Sequence, residues 1–213
     1  MRRSDMTSTV IPMELKTLID TRYATKSFDS TKKIDAKKIE ELKEMIRFAP
    51  SSFNIQPWKI KIISDKKIQE QLAAVAWNQP QIASASHLFV FLADKDVVKR
   101  IDELEADLIK KGAKKEDIKG YVDLMKGFAA KLTPEQMLAW SQRQVYLALE
   151  NGLLGAKSLG FDSCPMEGFD PAGAAKILKL SDRYVPTAIM STGFANDPTP
   201  RPKVRFDSKD VFF

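Results

Sequence analysis

Ala49 to Trp58 reads APSSFNIQPW. Before it, Asp35–Phe48 carries Ile39, Leu42, Met45 and Ile46 at helical spacing, with Asp35 placed as an N-cap. After it, Trp58–Ser64 (WKIKIIS) alternates as a strand does. The decapeptide is therefore a helix-to-strand connection. Serine, asparagine, glutamine and proline favour such connections because their side chains compete for backbone hydrogen bonds or fix a dihedral. Two readings stay open. An ordinary polar turn accounts for the composition, and so does a loop whose Ser51, Ser52, Asn54 and Gln56 meet a polar, mostly neutral ligand.

Working outward, Met13–Asp20 reads as a short amphipathic helix and Lys67–Trp77 as another. His87–Ala93 (HLFVFLA) is a nearly continuous apolar run, expected of a strand buried on both faces. Residues 96–127 read as helix with breaks at Gly112 and Gly120. Thr133 opens a capping box, TPEQ, with Pro134 at N1 and Gln136 at N3, ahead of a long helix to about Leu159. Pro171–Leu178 is a further helix, and Pro186–Phe194 (PTAIMSTGF) a strand ending at glycine. The fold class is α+β, a small sheet with helices on its faces. With no repeat and no linker, residues 1–213 are expected to form one domain.

The chain has 213 residues, 44% hydrophobic and 29% charged, with a formal net charge of +6. That composition is globular, and no apolar run approaches the roughly 18 residues of a membrane span. The start, MRRSDMTSTVIPM, lacks the apolar core of a secretory signal, so residues 1–12 are expected to be a frayed arm. Cys164 is the only cysteine, which excludes an internal disulfide and suits a reducing cytoplasm. The lysines of 110–131 alternate with Glu116, Asp117 and Asp123, as on a solvated helix face. No nucleic-acid motif accompanies them, so a basic nucleic-acid binder has only net charge behind it. His87 is the only histidine and precedes a buried strand, where a structural role is the ordinary one. Without a second histidine or a metal set, neither a hydrolase triad nor a zinc centre can be assembled.

Three more segments bear on chemistry. Thr21–Asp29 (TRYATKSFD) sets Arg22 and Lys26 four residues apart. Pro165–Phe169 (PMEGF) offers Gly168, where a backbone can approach a planar ring closely. Pro202–Arg205 (PKVR) adds Lys203 and Arg205. Cations for a phosphate, amides for a ring edge and a small-residue elbow make up the inventory of a phosphorylated ring cofactor site.

In this order the segments resemble the FMN-dependent nitroreductase family, which includes NAD(P)H nitroreductases and dihydropteridine or quinone reductases. The likeness runs from about Leu15 to about Arg205. It is strongest in TRYATKSFD, APSSFNIQPW, QVYLALENGLLGAKSLGFDSCPMEGF and RPKVR, and weakest between Asp94 and Leu132. It implies a small, mainly antiparallel sheet in an intertwined homodimer, with the long helix central, flavin between subunits, and residues 197–213 wrapping the partner. Ala148, Gly152, Gly155 and Ala156 on that helix permit close helix approach.

By the same resemblance, Arg22, Lys203 and Arg205 clamp the FMN phosphate, and Lys26 holds the ring edge that turns negative on reduction. Tyr23 and Ala24 stand where relatives often have histidine and serine. Pro50, Ser51, Ser52 and Asn54 match the segment given across the dimer to the ring. Asn78 matches a family asparagine, and Gln81 replaces a second lysine, keeping a hydrogen bond without the charge. Pro165, Met166, Glu167 and Gly168 form the elbow, with the backbone N–H groups of Glu167 and Gly168 facing the flavin. The Glu167 side chain reads as a local anchor. Phe128 is a candidate lid over the acceptor.

The activity implied is transfer of hydride from NADH or NADPH through flavin N5 to a nitroaromatic, quinone or similar flat acceptor, in ping-pong order, in the cytoplasm. Two alternatives keep the flavin: a module that binds or sequesters it with little turnover, and a reductase of a dedicated enone or halogenated ring.

Overall fold

The computed structural model describes residues 14–197 and 202–213. The expected N-terminal arm, residues 1–12, lies outside them. Helix α1 (Leu15–Thr21) leads to α2 (Ala36–Arg47), capped as expected by Asp35, whose carboxylate accepts from the Lys37 amide at 2.7 Å. Strand β1 (Trp58–Ile63) follows the decapeptide; α3 (Lys66–Ala74) and α4 (Pro80–Ser84) precede β2 (His87–Asp94). Then come α5 (Val97–Lys110), α6 (Lys115–Ala129), α7 (Pro134–Ser158), β3 (Asp162–Met166), α8 (Pro171–Ile177), β4 (Tyr184–Gly193) and α9 (Ser208–Val211). The Thr133 capping box is present in full, with both reciprocal hydrogen bonds made.

The four strands form one sheet in the order β1-β2-β4-β3, every neighbouring pair antiparallel. Along β2 the side chains alternate between two cores. Phe89, Phe91 and Ala93 join Leu42, Ile46, Val145 and Leu149 of α2 and α7. Leu88, Val90 and Leu92 join Leu72, Ile82 and Ala174 of α3, α4 and α8. A period of two on a strand with helices on both sides makes both registers apolar, which is why HLFVFLA reads as continuous. A third core unites α5, α6 and the start of α7 around Ile101, Met125 and Trp140. No helix among the described residues is long and apolar enough to cross a membrane.

Several details depart from the sequence reading. Gly112 ends a helix with φ +101, but Gly120 does not interrupt α6. A Cβ there would touch nothing within 4 Å, so it is a surface position carried by buried Val122, Met125 and Ala129. Helix α3 stops at Ala74 rather than Trp77, because Trp77 and Asn78 adopt left-handed φ values of 53° and 52°. Strand β3 was not expected: DSCPM is short and contains Pro165, tolerated because β3 is an edge strand. Gly152 and Gly155 serve packing within the chain. A Cβ on Gly152 would meet Met190 at 3.1 Å, and one on Gly155 would meet Leu42 and Met45 at 2.9 Å. These glycines therefore let α7 close on α2 and β4.

Candidate active site

Residues 22–28 run alongside β3. Ala24 bridges Ser163 in parallel, the Thr25 amide donates to the Ser163 carbonyl at 3.2 Å, and Phe28 bridges Ala195. This lays Arg22 and Lys26 against the edge of the sheet. The Lys26 amide donates to Asp197 at 2.9 Å, and its Nζ lies 3.6 Å from Cys164 Sγ. Burial pushes the Cys164 thiol up, with the Lys26 and Arg22 charges acting the other way. Arg22 Nη1 is buried and has no hydrogen-bond partner among the described residues.

Lys203 joins Arg22 from the far end of the chain, its ammonium donating to the Ile19 carbonyl of α1. Loss of hydration and the neighbouring Arg22 and Arg205 cations push Lys203 below the ordinary lysine range, with Asp20 and Glu150 opposing. Three cations gathered from segments about 180 residues apart repel one another, and a buried guanidinium N–H without a partner is costly. An anion with several oxygens would satisfy both conditions. Lys203 is thus brought near the sequence-predicted Arg22, with Arg205 two residues further along the chain. Tyr23 and Ala24 are half-buried between them and β3.

The elbow at Pro165–Gly168 ends β3 beside α7. Pro165, Met166 and Glu167 line a cavity of about 410 Å³ with Tyr146, Leu149, Glu150 and Leu153 of α7 and Ala188 of β4. The Tyr146 hydroxyl donates to the Glu167 carboxylate, so this side chain is an anchor to α7. Burial and the Glu167 charge push the Tyr146 phenol up. Gln79 Nε2 donates to the Gly168 carbonyl at 2.7 Å. Gln81 is buried, its Nε2 directed to Gln79 Oε1 at 2.9 Å and Met166 Sδ at 3.2 Å. Its amide therefore braces the elbow. Asn78 sits on the surface at the left-handed turn before α4, held by its own amide on the Ala73 carbonyl.

The decapeptide loop lies elsewhere. Ser51 Oγ accepts from the Gln56 amide, Asn54 Oδ1 accepts from Gln56 Nε2, and the Ser52 amide donates to Gln144 Oε1, each at 2.9 Å. Phe53, Asn54 and Gln56 all have φ between 51° and 55°, a conformation non-glycine residues rarely hold unassisted. Much of the polarity of this loop therefore staples the loop itself. Pro50 and Ser52 remain at its exposed or half-exposed rim. Phe128, the candidate lid, is half-buried on α6. Its ring packs 5.4 Å from both Phe53 and Trp140, fixing the loop to α6 and α7. The loop's partners lie on α5, α6 and the first half of α7, while the cation cluster gathers at α1 and the second half of α7. The sequence reading missed Tyr146, Gln79 and Trp77, whose only signal was an aromatic or amide at a helix end or on a long helix.

A model described as the nitroreductase family matches residues 19–194. The chain belongs to the nitroreductase family. A protein of Staphylococcus saprophyticus whose name assigns it to the NAD(P)H nitroreductases is 31% identical over 202 residues, covering 89% of this chain and 91% of its own. A Staphylococcus epidermidis structure, titled as an NAD(P)H:FMN oxidoreductase, shares 25% identity and superposes with a TM-score of 0.85, covering 95% of this chain and 96% of that one. A nitroreductase-titled structure from Exiguobacterium sibiricum, in complex with FMN, has the same fold: TM-score 0.85, 23% identity, and coverage of 93% and 96%. The antiparallel sheet with helices on both faces is thus the nitroreductase fold.

Proposed function

We propose that this nitroreductase-family protein is an NAD(P)H-dependent FMN oxidoreductase acting on nitroaromatics, quinones or similar flat acceptors. The observation that carries the proposal is the buried, unpartnered Arg22 Nη1 with Lys203 and Arg205 drawn toward it. That set fits the phosphate of FMN: two guanidiniums and an ammonium supply charge-assisted donors from three directions. FMN, when bound, supplies the redox chemistry, taking up hydride from NADH or NADPH and passing reducing equivalents to the acceptor in alternation.

The protein's own residues bind, orient and polarise. Lys26 places a positive charge four residues from the phosphate ligand Arg22, where it favours a ring edge that becomes negative. At about 4 Å and an effective dielectric near 20 such a charge contributes on the order of 4 kcal/mol. Gly168, Gln79 and Gln81 hold the elbow backbone so that its N–H groups address the ring. No side chain of this set acts as a general acid or base, since Glu167 is engaged by Tyr146.

The site is composite in this reading. Leu15 and Ile19 of α1, Phe48, and Tyr146 and Leu147 on the outer face of α7 leave a large apolar area in water. Phe206, Phe212 and Phe213 in the extension are also exposed. A second copy covering these surfaces would bury them and bring its Pro50–Asn54 loop to the ring held by this chain. The extension would wrap that partner. A cytoplasmic setting suits the buried free thiol of Cys164.

Comparing FMN with riboflavin tests the phosphate clamp directly. Three charge-assisted bonds at about 1.5–3 kcal/mol each predict FMN binding at least about 1,000-fold tighter. Equal affinity for the two flavins would remove the clamp and with it the proposal.

A further inference from the structure

Trp77 is the least expected aromatic in the molecule. Its indole is 73% exposed, although a tryptophan normally contributes most of its area to a core or an interface. The chain also adopts two consecutive left-handed non-glycine residues to hold it out, Trp77 at φ 53° and Asn78 at φ 52°. Such residues persist only where their surroundings impose them, and they gather at functional sites. Here the Asn78 amide bonds the Ala73 carbonyl at 2.8 Å and the Gln79 amide bonds the Ala76 carbonyl at 3.2 Å. Pro80 then opens α4 and fixes the exit.

The exposed ring is not directed at random. A Cβ built on Gly168 would lie 2.3 Å from Trp77 Cζ3 and 3.1 Å from Cε3. The indole therefore rests on the one residue of the elbow without a side chain, and a Cβ there would push the ring from its present place. Gln79, two residues on, bonds the Gly168 carbonyl at 2.7 Å. The α3–α4 turn thus both braces the elbow and stands an aromatic plate beside it. Neither the phosphate cluster nor the sheet needs that plate.

We propose that Trp77 is a specificity-determining wall of the acceptor position, binding planar acceptors by aromatic contact without holding FMN. This rests on the FMN oxidoreductase reading above. Trp77→Ala is expected to raise KM for a naphthoquinone or a nitroaromatic about tenfold, a difference typical of a lost aromatic stack, with kcat within about twofold. Ferricyanide, compact and not planar, should be reduced with unchanged KM. Trp77→Phe should recover most of the quinone KM. Gly168→Ala would displace the indole and should raise the quinone KM in the parent but add little on top of Trp77→Ala.

These kinetics are measured together with FMN titration, thermal melting and sedimentation of each variant. A parent protein that binds no FMN overturns the functional reading and this inference with it. FMN-loaded Trp77→Ala with an unchanged quinone KM overturns the inference alone. So does an equal KM rise for ferricyanide, or a loss of dimer that accounts for the change.

Discussion

The Arg183 guanidinium straddles the Asp94 carboxylate, donating through Nε at 2.8 Å and Nη2 at 2.6 Å. Asp94 is 1% exposed at the end of β2. Arg183 also reaches Glu103 at 2.7 Å; Glu103 accepts from Arg100 at 3.0 Å, and Arg100 bonds the Gln56 carbonyl at 3.1 Å. One chain of charges thus ties the ends of two central strands to α5 and to the Ser51–Gln56 loop. Arg183→Met leaves Asp94 buried without its cation, and is expected to destabilise the fold by about 3–5 kcal/mol in urea titration. An unchanged midpoint would show that the pair is dispensable.

Arg183, with help from Arg100, holds the Glu103 carboxyl at about 2, below the ordinary 4.5. A depressed carboxylate contributes stability that is fully present above its unfolded pKa and is lost as pH falls through its folded one. The loss should therefore develop between about pH 4.5 and 2, on the order of 1 kcal/mol after solvent screening of this partly exposed group. Melting temperatures of the parent and Glu103→Gln should converge across that window. A constant difference between them down to pH 2 would contradict the assignment.

The architecture was legible because its signals are local. The Thr133 capping box, the Asp35 cap and the two-faced apolar run of β2 each state their element within a few residues. Strand β3 was hidden because proline and polar residues at an edge strand mimic a loop. The cations of the candidate site were legible by type, but the gathering of Arg22 with Lys203 depends on a chain reversal that no local pattern carries. In the decapeptide, Ser51, Asn54 and Gln56 hydrogen-bond within the loop to hold three left-handed residues, a turn-building role that the composition shares with a ligand-facing one. The packing of Phe128 on Phe53 was not legible, because an aromatic on a half-polar helix looks the same in sequence whatever it contacts.

Arg205→Ala is expected to weaken FMN binding by more than about tenfold while the melting temperature of the apoprotein stays put, since each charge-assisted phosphate bond contributes about 1.5–3 kcal/mol. Arg205 is exposed and, among the described residues, its side chain bonds only the Val204 carbonyl, so the fold is expected to tolerate its loss. Unchanged affinity in a fluorescence titration would take Arg205 out of the clamp.

If the sites are composite, two dead variants should rescue each other. Ser52→Trp blocks the loop without touching the Ser51, Asn54 and Gln56 staples, and Arg22→Ala, Lys203→Ala removes the clamp. Refolded together, a heterodimer regains one intact site and part of the activity. Heterodimers that form and stay inactive would mean that each chain holds its flavin alone.

The central claim is that Arg22, Lys203 and Arg205 exist to hold FMN, and the visible absorbance spectrum of the purified protein tests it most directly. The expected result is a yellow protein with about one FMN per subunit, bleached by NADH or NADPH without oxygen and recoloured by a quinone. A colourless protein that cannot be reconstituted with added FMN would contradict the account at its root.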